Sequence, residues 1–130
     1  MTRMVDLLFK DESYAIIGAC MKVHSSLGPG FLKSVYSEVL CKGFEKRKIP
    51  FVKEKKLALF YEGEQLKKYF KADFICFESI IVEIKSKSIL MKIDEQQTIN
   101  YLNATESQLG LLVNFGEKSL KYKRFVNSRR

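Results

Sequence analysis

Residues 68 to 87 read KYFKADFICFESIIVEIKSK, two apolar, β-favouring runs separated by a short Phe-Glu-Ser turn. Such a pattern has few outlets other than an antiparallel hairpin. Each run nevertheless carries a carboxylate among its hydrophobic residues, Asp73 in the first and Glu83 in the second. If the hairpin is centred on Glu78, facing residue numbers sum to 156 and Asp73 lies opposite Glu83. Opposed side chains on one face have Cβ atoms about 4.5–5.5 Å apart, so two like charges there are destabilising unless something positive joins them. A divalent cation such as Mg²⁺ meets that need, because it accepts carboxylate oxygens and leaves positions for water and phosphate. Lys85, two residues beyond Glu83, shares its face and is placed to steady an attacking water or the charge that develops on a phosphate.

The same register allows a plainer reading. Lys71 would face Lys85, and the four charges could form a surface lattice of diagonal pairs, Asp73 with Lys85 and Glu83 with Lys71, each worth little. Ile75 and Ile81 fall on that same face, which fits a partly covered site better than an open surface.

The rest of the chain has the organisation of one α/β domain over residues 1–130. Apolar residues recur at three- and four-residue intervals from Asp11 to about Leu27, with Asp11 or Ser13 as the expected N-cap. Gly28-Pro29-Gly30 ends that helix, and a second runs from about Phe31 to Lys46. After Pro50 come three strands at roughly 52–61, 65–77 and 80–86, with turns at Glu62-Gly63-Glu64 and Phe77-Glu78-Ser79. A third helix from about Ile93 to Ala104 precedes strands at 109–115 and 120–126. The order is ααβββαββ.

Composition narrows the function. Lys and Arg number 23 against 15 Asp and Glu, a net charge of +8. The basic residues cluster at 46–48, 53–56, 67–68 and in the tail KYKRFVNSRR from residue 121. That field suits a polyanionic partner, although lysine also serves solubility and, on edge strands, discourages aggregation. No apolar run reaches the roughly 18–20 residues of a membrane span, and Asp6, Lys10, Asp11 and Glu12 interrupt the place of a signal peptide, so a cytoplasmic location is expected. Three widely spaced cysteines, Cys20, Cys41 and Cys76, fit reduced core thiols, and with His24 as the only histidine a Zn²⁺ site is not readily assembled. His24, near a helix end, fits a packing or capping contact better than a general base. Among the aromatics near the hairpin, Phe70, Phe74 and Phe77 are expected in the core, with Tyr69 open to either core or base stacking.

Asp73 followed by Glu83-Ile84-Lys85 resembles the acidic and E-X-K elements of the PD-(D/E)XK nuclease superfamily. VHSSLGPGFLKSVYSEVL (23–40), KADF (71–74), VEIK (82–85), EQQTINYL (95–102) and LGLLVNFG (109–116) are similar, in order and spacing, to successive blocks of its GxxExxY family. The resemblance implies a restriction-endonuclease-like mixed β-sheet flanked by helices. It also implies Mg²⁺- or Mn²⁺-dependent phosphodiester cleavage in nucleic acid, with DNA the expected substrate. Asp73 and Glu83 would hold the metal with the Ile84 carbonyl, Lys85 would assist the water, and Gln97 would stand beside them. Glu95 and Tyr101 also match the third-helix block.

One departure cuts into that implication. Gly30 and Tyr36 stand where the family motif has them, but Lys33 replaces its glutamate, and Ser37 stands where a second acid is frequent. Glu38 is the nearest remaining acid, directed roughly 140° from position 33 at about 100° per residue, and is an imperfect substitute as a metal ligand. Two functional readings follow: a nuclease weakened by Lys33, or a nuclease-fold module without activity that binds nucleic acid or a protein partner, including a second copy of itself.

Overall fold

A computed structural model describes residues 8–127; Asp6 and the last three residues of the basic tail lie outside that range. The elements are α1 (Lys10–Leu27), α2 (Lys33–Lys46), β1 (Phe51–Tyr61), β2 (Glu64–Cys76), β3 (Ile80–Lys85), α3 (Lys92–Ala104), β4 (Leu109–Asn114) and β5 (Lys121–Val126). Their order is the expected ααβββαββ. The strands form one sheet in the order β1-β2-β3-β4-β5, with β3 and β4 parallel and every other neighbouring pair antiparallel. The sheet is therefore mixed, and the class is α+β of restriction-endonuclease-like type.

Helix α3 is the crossover between β3 and β4, as a parallel pair requires. It covers one face, where Leu102 packs with Phe70, Ala72, Ile75 and Ile81, and Tyr101 and Phe125 lie against them. Helices α1 and α2 cover the other, where Ile16, Cys20, Tyr36, Leu40 and Phe44 meet Phe74, Val82, Ile84, Leu111 and Val113. Covered on both sides, β3 and β4 read IIVEIK and LGLLVN, near-continuous apolar runs interrupted by a charge only at Glu83 and Lys85 within β3.

Local expectations needed two adjustments. The residue flanking α1 is Phe9, in a left-handed conformation and without a side-chain cap; Asp11 falls in the first helical turn and Ser13 is buried inside the helix. Asp11 there still complements the helix dipole, so its N-terminal signal is real but displaced by about half a turn. Helix α2 starts at Lys33 rather than Phe31, because Leu32 is extended (ψ 151°) and the preceding turn is pinned from within the helix. The Tyr36 hydroxyl donates to the Gly28 carbonyl at 2.5 Å and accepts from the Phe31 N–H at 3.3 Å, while its ring stacks on Phe115 at 4.9 Å. Gly28, at φ 71°, closes α1 as expected, its N–H bonding the His24 carbonyl.

Strands β1 and β2 change faces midway. Phe70 and Ala72 point toward α3, yet so does Ile75, three residues on, while Phe74 and Cys76 point toward α1 and α2. Strict alternation would put Ala72 and Phe74 on one side. The switch falls at Asp73, opposite Glu54 with its positive φ of 55°, although the β1/β2 register is unchanged across it from Lys55↔Ala72 to Lys53↔Phe74.

Candidate active site

The hairpin register sum of 156 holds at Phe74↔Val82, Ile75↔Ile81 and Cys76↔Ile80. Beyond Phe74 the strands part, and two carboxylates replace the missing ladder. Glu83 Oε2 accepts the Asp73 N–H at 2.7 Å, and Asp73 Oδ2 accepts the Ile84 N–H at 2.9 Å. Each acid thus satisfies a backbone donor that strand separation would leave bare. Asp73 and Glu83 are brought side by side, as the sequence predicts, at the point where β2 peels away from β3.

The lattice of diagonal pairs is not what forms. The cation that pairs with Asp73 is Lys33, from the first turn of α2, with Nζ 3.0 Å from Oδ1. Lys85 instead turns to α3, its Nζ approaching Gln97 Oε1 at 3.5 Å, a loose contact. Glu83, Lys85 and Gln97 line a cavity of about 190 Å³ together with Phe70, Thr98 and Tyr101. Phe70 and Tyr101 stack nearly parallel, centroids 4.2 Å apart, and close one side of it.

Burial and the adjacent Asp73 carboxylate push the Glu83 carboxyl up to about 8, against the opposing pull of the Asp73 N–H, Lys33 and Lys85. At neutral pH, without a further cation, Glu83 therefore keeps its proton for much of the time. Two acids this close and this poorly hydrated create a demand for positive charge that Lys33, its side chain 48% exposed, meets only in part.

The donor set suits a hard divalent cation. Two carboxylates with oxygens to spare, and open space for water and phosphate, are what Mg²⁺ or Mn²⁺ takes, provided the Lys33 ammonium gives way. No trio of His, Cys, Asp or Glu forms a metal cluster among the described residues, so Glu38 does not complete one with Asp73 and Glu83. The reason is its exposed position on α2, turned away from the face on which Lys33 reaches Asp73. Thiolates are not an alternative: Cys20 and Cys76 are buried and free, and burial holds the Cys76 thiol up at about 12.

Other residues take structural places. His24 Nε2 lies 2.8 Å from the Glu117 carbonyl oxygen, with its ring against Phe115, a packing role as expected. Glu95 faces Lys123 at 3.7 Å rather than the cavity. Phe70 and Phe74 are buried as expected, and Tyr69 is 53% exposed.

Sequence reasoning missed the clamp that fixes α3 over the cavity. Asn114, fully buried, accepts from the Lys87 N–H, donates to the Lys87 carbonyl and to Glu117 Oε2, and so ties the end of β4 to the segment after β3. Lys87 then bonds both oxygens of Asp94 at 3.0 and 2.8 Å, and Asp94 Oδ2 accepts the Met91 N–H at the start of α3. Gly116 lies so close that an added Cβ would fall 2.2 Å from the Lys87 carbonyl oxygen. The Asn-Phe-Gly that ends an apolar strand was the available signal.

A family model of the PD-(D/E)XK nuclease superfamily matches residues 10–125. No curated protein and no solved structure matches the chain at a significant level.

Proposed function

Since the chain belongs to the PD-(D/E)XK nuclease superfamily, we propose that it hydrolyses phosphodiester bonds in nucleic acid with Mg²⁺ or Mn²⁺, at a site made by Asp73, Glu83, Lys85 and Gln97. The observation that carries this reading is the meeting of Asp73 and Glu83 at the strand divergence, with Lys85 and Gln97 around the adjoining cavity. Asp73, Glu83 and the Ile84 carbonyl are the groups that would hold the metal. When bound, a divalent ion supplies Lewis-acid stabilisation and a more acidic water. The chain's own contributions are distinct. Lys85 offers an ammonium to the attacking water or a phosphate oxygen, Gln97 orients that ammonium, and the Phe70–Tyr101 stack bounds the cavity. Gly30 and Tyr36, together with the ordered blocks, support membership of the GxxExxY family, with Lys33 as this chain's departure.

The site is tested by titrating Mn²⁺ into the protein at pH 7 in buffers of different ionisation enthalpy. Because Glu83 holds a proton in the metal-free state, binding should release up to about one proton, and Glu83→Gln should abolish that release. Binding that persists in Asp73→Asn and Glu83→Gln alike would refute the assignment.

A second reading is favoured by one observation, the Lys33–Asp73 ion pair. An ammonium already seated on a ligand carboxylate offsets the charge a metal would neutralise. On that reading the fold is kept as a nucleic-acid-binding module without turnover, and cleavage of nucleic acid in Mg²⁺ or Mn²⁺ separates the two.

A further inference from the structure

Residues 64–72 of β2 pair only with β1, so the β1/β2 hairpin runs on past β3 as a two-stranded arm with a reach of about 30 Å. Its root is the catalytic site itself, because Asp73 and its face switch mark where the arm begins. The inner side of the arm is spoken for: Leu57, Phe70 and Ala72 pack toward α3. Alternation turns the next residues outward, Lys56 paired with Lys71 and Ala58 paired with Tyr69, up to the register shift between Ala58 and Phe60.

This outward face has a composition that solvation alone does not explain. Lys56 and Lys71 are direct cross-strand partners, a like-charge arrangement that costs stability. Among the described residues neither has a carboxylate partner; the Lys56 ammonium lies over the Tyr69 ring, 4.7 Å from its centroid. Over both faces of the arm and its root, the exposed lysines at 53, 55, 56, 67, 68 and 71 outnumber the acids at 54, 62 and 64. Uncompensated ammonium groups that begin two residues from Asp73, on the sheet face opposite the Glu83–Lys85 cavity, are complementary to the phosphates of a nucleic acid.

We propose that the outward face of the arm, centred on Lys56 and Lys71, is a docking surface for duplex DNA. This rests on the nucleic-acid reading of the site and goes beyond it by naming the surface and the form of the substrate. A ribbon two strands wide fits the B-form major groove, about 12 Å across, whereas the A-form RNA major groove is too deep and narrow to admit it. Single strands bind chiefly by stacking bases on free aromatic faces, and here one face of Tyr69 is already covered by Lys56.

The test measures binding rather than cleavage, in EDTA, by fluorescence anisotropy of a labelled DNA duplex of about 30 base pairs, beside RNA of the same sequence and the single DNA strand. Salt is varied from about 50 to about 200 mM. Wild-type protein should prefer the DNA duplex. Lys56→Ala/Lys71→Ala should reduce the slope of log affinity against log salt by about 2, while Lys118→Ala/Lys121→Ala, at the opposite edge of the sheet, leaves it unchanged. Thermal melting of the arm variant should show a cooperative transition, so that a changed slope is not a loss of fold. An unchanged slope in the arm variant, an equal loss in the control, or RNA duplex bound as tightly as DNA would overturn the proposal. Binding that behaves as stated in a protein that cleaves nothing would refute the hydrolytic reading and leave the surface standing.

Discussion

Lys33 Nζ sits 3.0 Å from Asp73 Oδ1, so an ammonium from the first turn of α2 already occupies one side of the carboxylate pair that the superfamily's chemistry needs. The placement has identifiable causes. Tyr36 anchors the turn before α2, and the Ser86 hydroxyl donates to the Phe31 carbonyl at 2.5 Å, tying the helix start to the end of β3. Position 33 is thereby held at the site whatever residue fills it. An acid there would add a ligand oxygen; a lysine adds a competing cation.

Replacing this lysine should therefore tune metal affinity. Lys33→Met removes the competitor and Lys33→Glu also adds a carboxylate. We expect Mn²⁺ affinity by calorimetry to rise in the order wild type, Lys33→Met, Lys33→Glu, with the glutamate variant at least about tenfold tighter, a difference of about 1.4 kcal/mol. Equal affinities would mean that the ion pair does not limit the site.

The raised Glu83 pKa gives stability a defined pH dependence in the metal-free protein. In the unfolded chain Glu83 titrates at about 4.3, and in the fold at about 8. Between these values the folded state holds the extra proton, so this contribution is fully present below about pH 4 and is lost as pH rises through 8. Urea midpoints in EDTA should fall from pH 5 to pH 8.5 more steeply for wild type than for Glu83→Gln, which carries no titrating group there. Parallel profiles would show that burial and Asp73 do not act on Glu83 in this way.

Lys85 and Gln97 should separate by kinetics. Lys85→Ala removes the ammonium beside the cavity, and cleavage should slow by about 10²–10³-fold with little change in substrate affinity. Gln97→Ala should cost less, about tenfold, because it acts through the lysine. Equal losses of rate and affinity for Lys85→Ala would identify a ground-state phosphate contact instead.

The clamp behind the cavity is a stability element. Gly116→Ala drives a methyl group into the Lys87 backbone and Asn114→Ala strips partners from both Lys87 backbone groups. Each should destabilise by about 2–4 kcal/mol, read from urea denaturation. A loss under about 0.5 kcal/mol, the size of an ordinary surface substitution, would show that the segment after β3 is held by other contacts.

The element order and the Asp73/Glu83 meeting were legible because they depend on short-range signals, helical and strand periodicity and a tight turn. What escaped the sequence depended on where chains cross. Lys33 reaches Asp73 from an element 40 residues earlier, and no periodicity encodes that approach. The face switch at Asp73 left a readable trace, since Phe70, Ala72 and Ile75 break strict alternation, but the trace is a single odd step in an apolar run. Asn114 reads as one polar residue after LGLLV, and only the packing of β4 beside Lys87 gives it a role.

The most direct test of the central claim is cleavage of labelled single- and double-stranded DNA and RNA by wild type and Glu83→Gln, in Mg²⁺, Mn²⁺ or EDTA. The account predicts cutting of duplex DNA that requires the metal and disappears in Glu83→Gln while DNA binding persists. Cutting that survives in Glu83→Gln or in EDTA, or no cutting by wild type under any of these conditions, would contradict it.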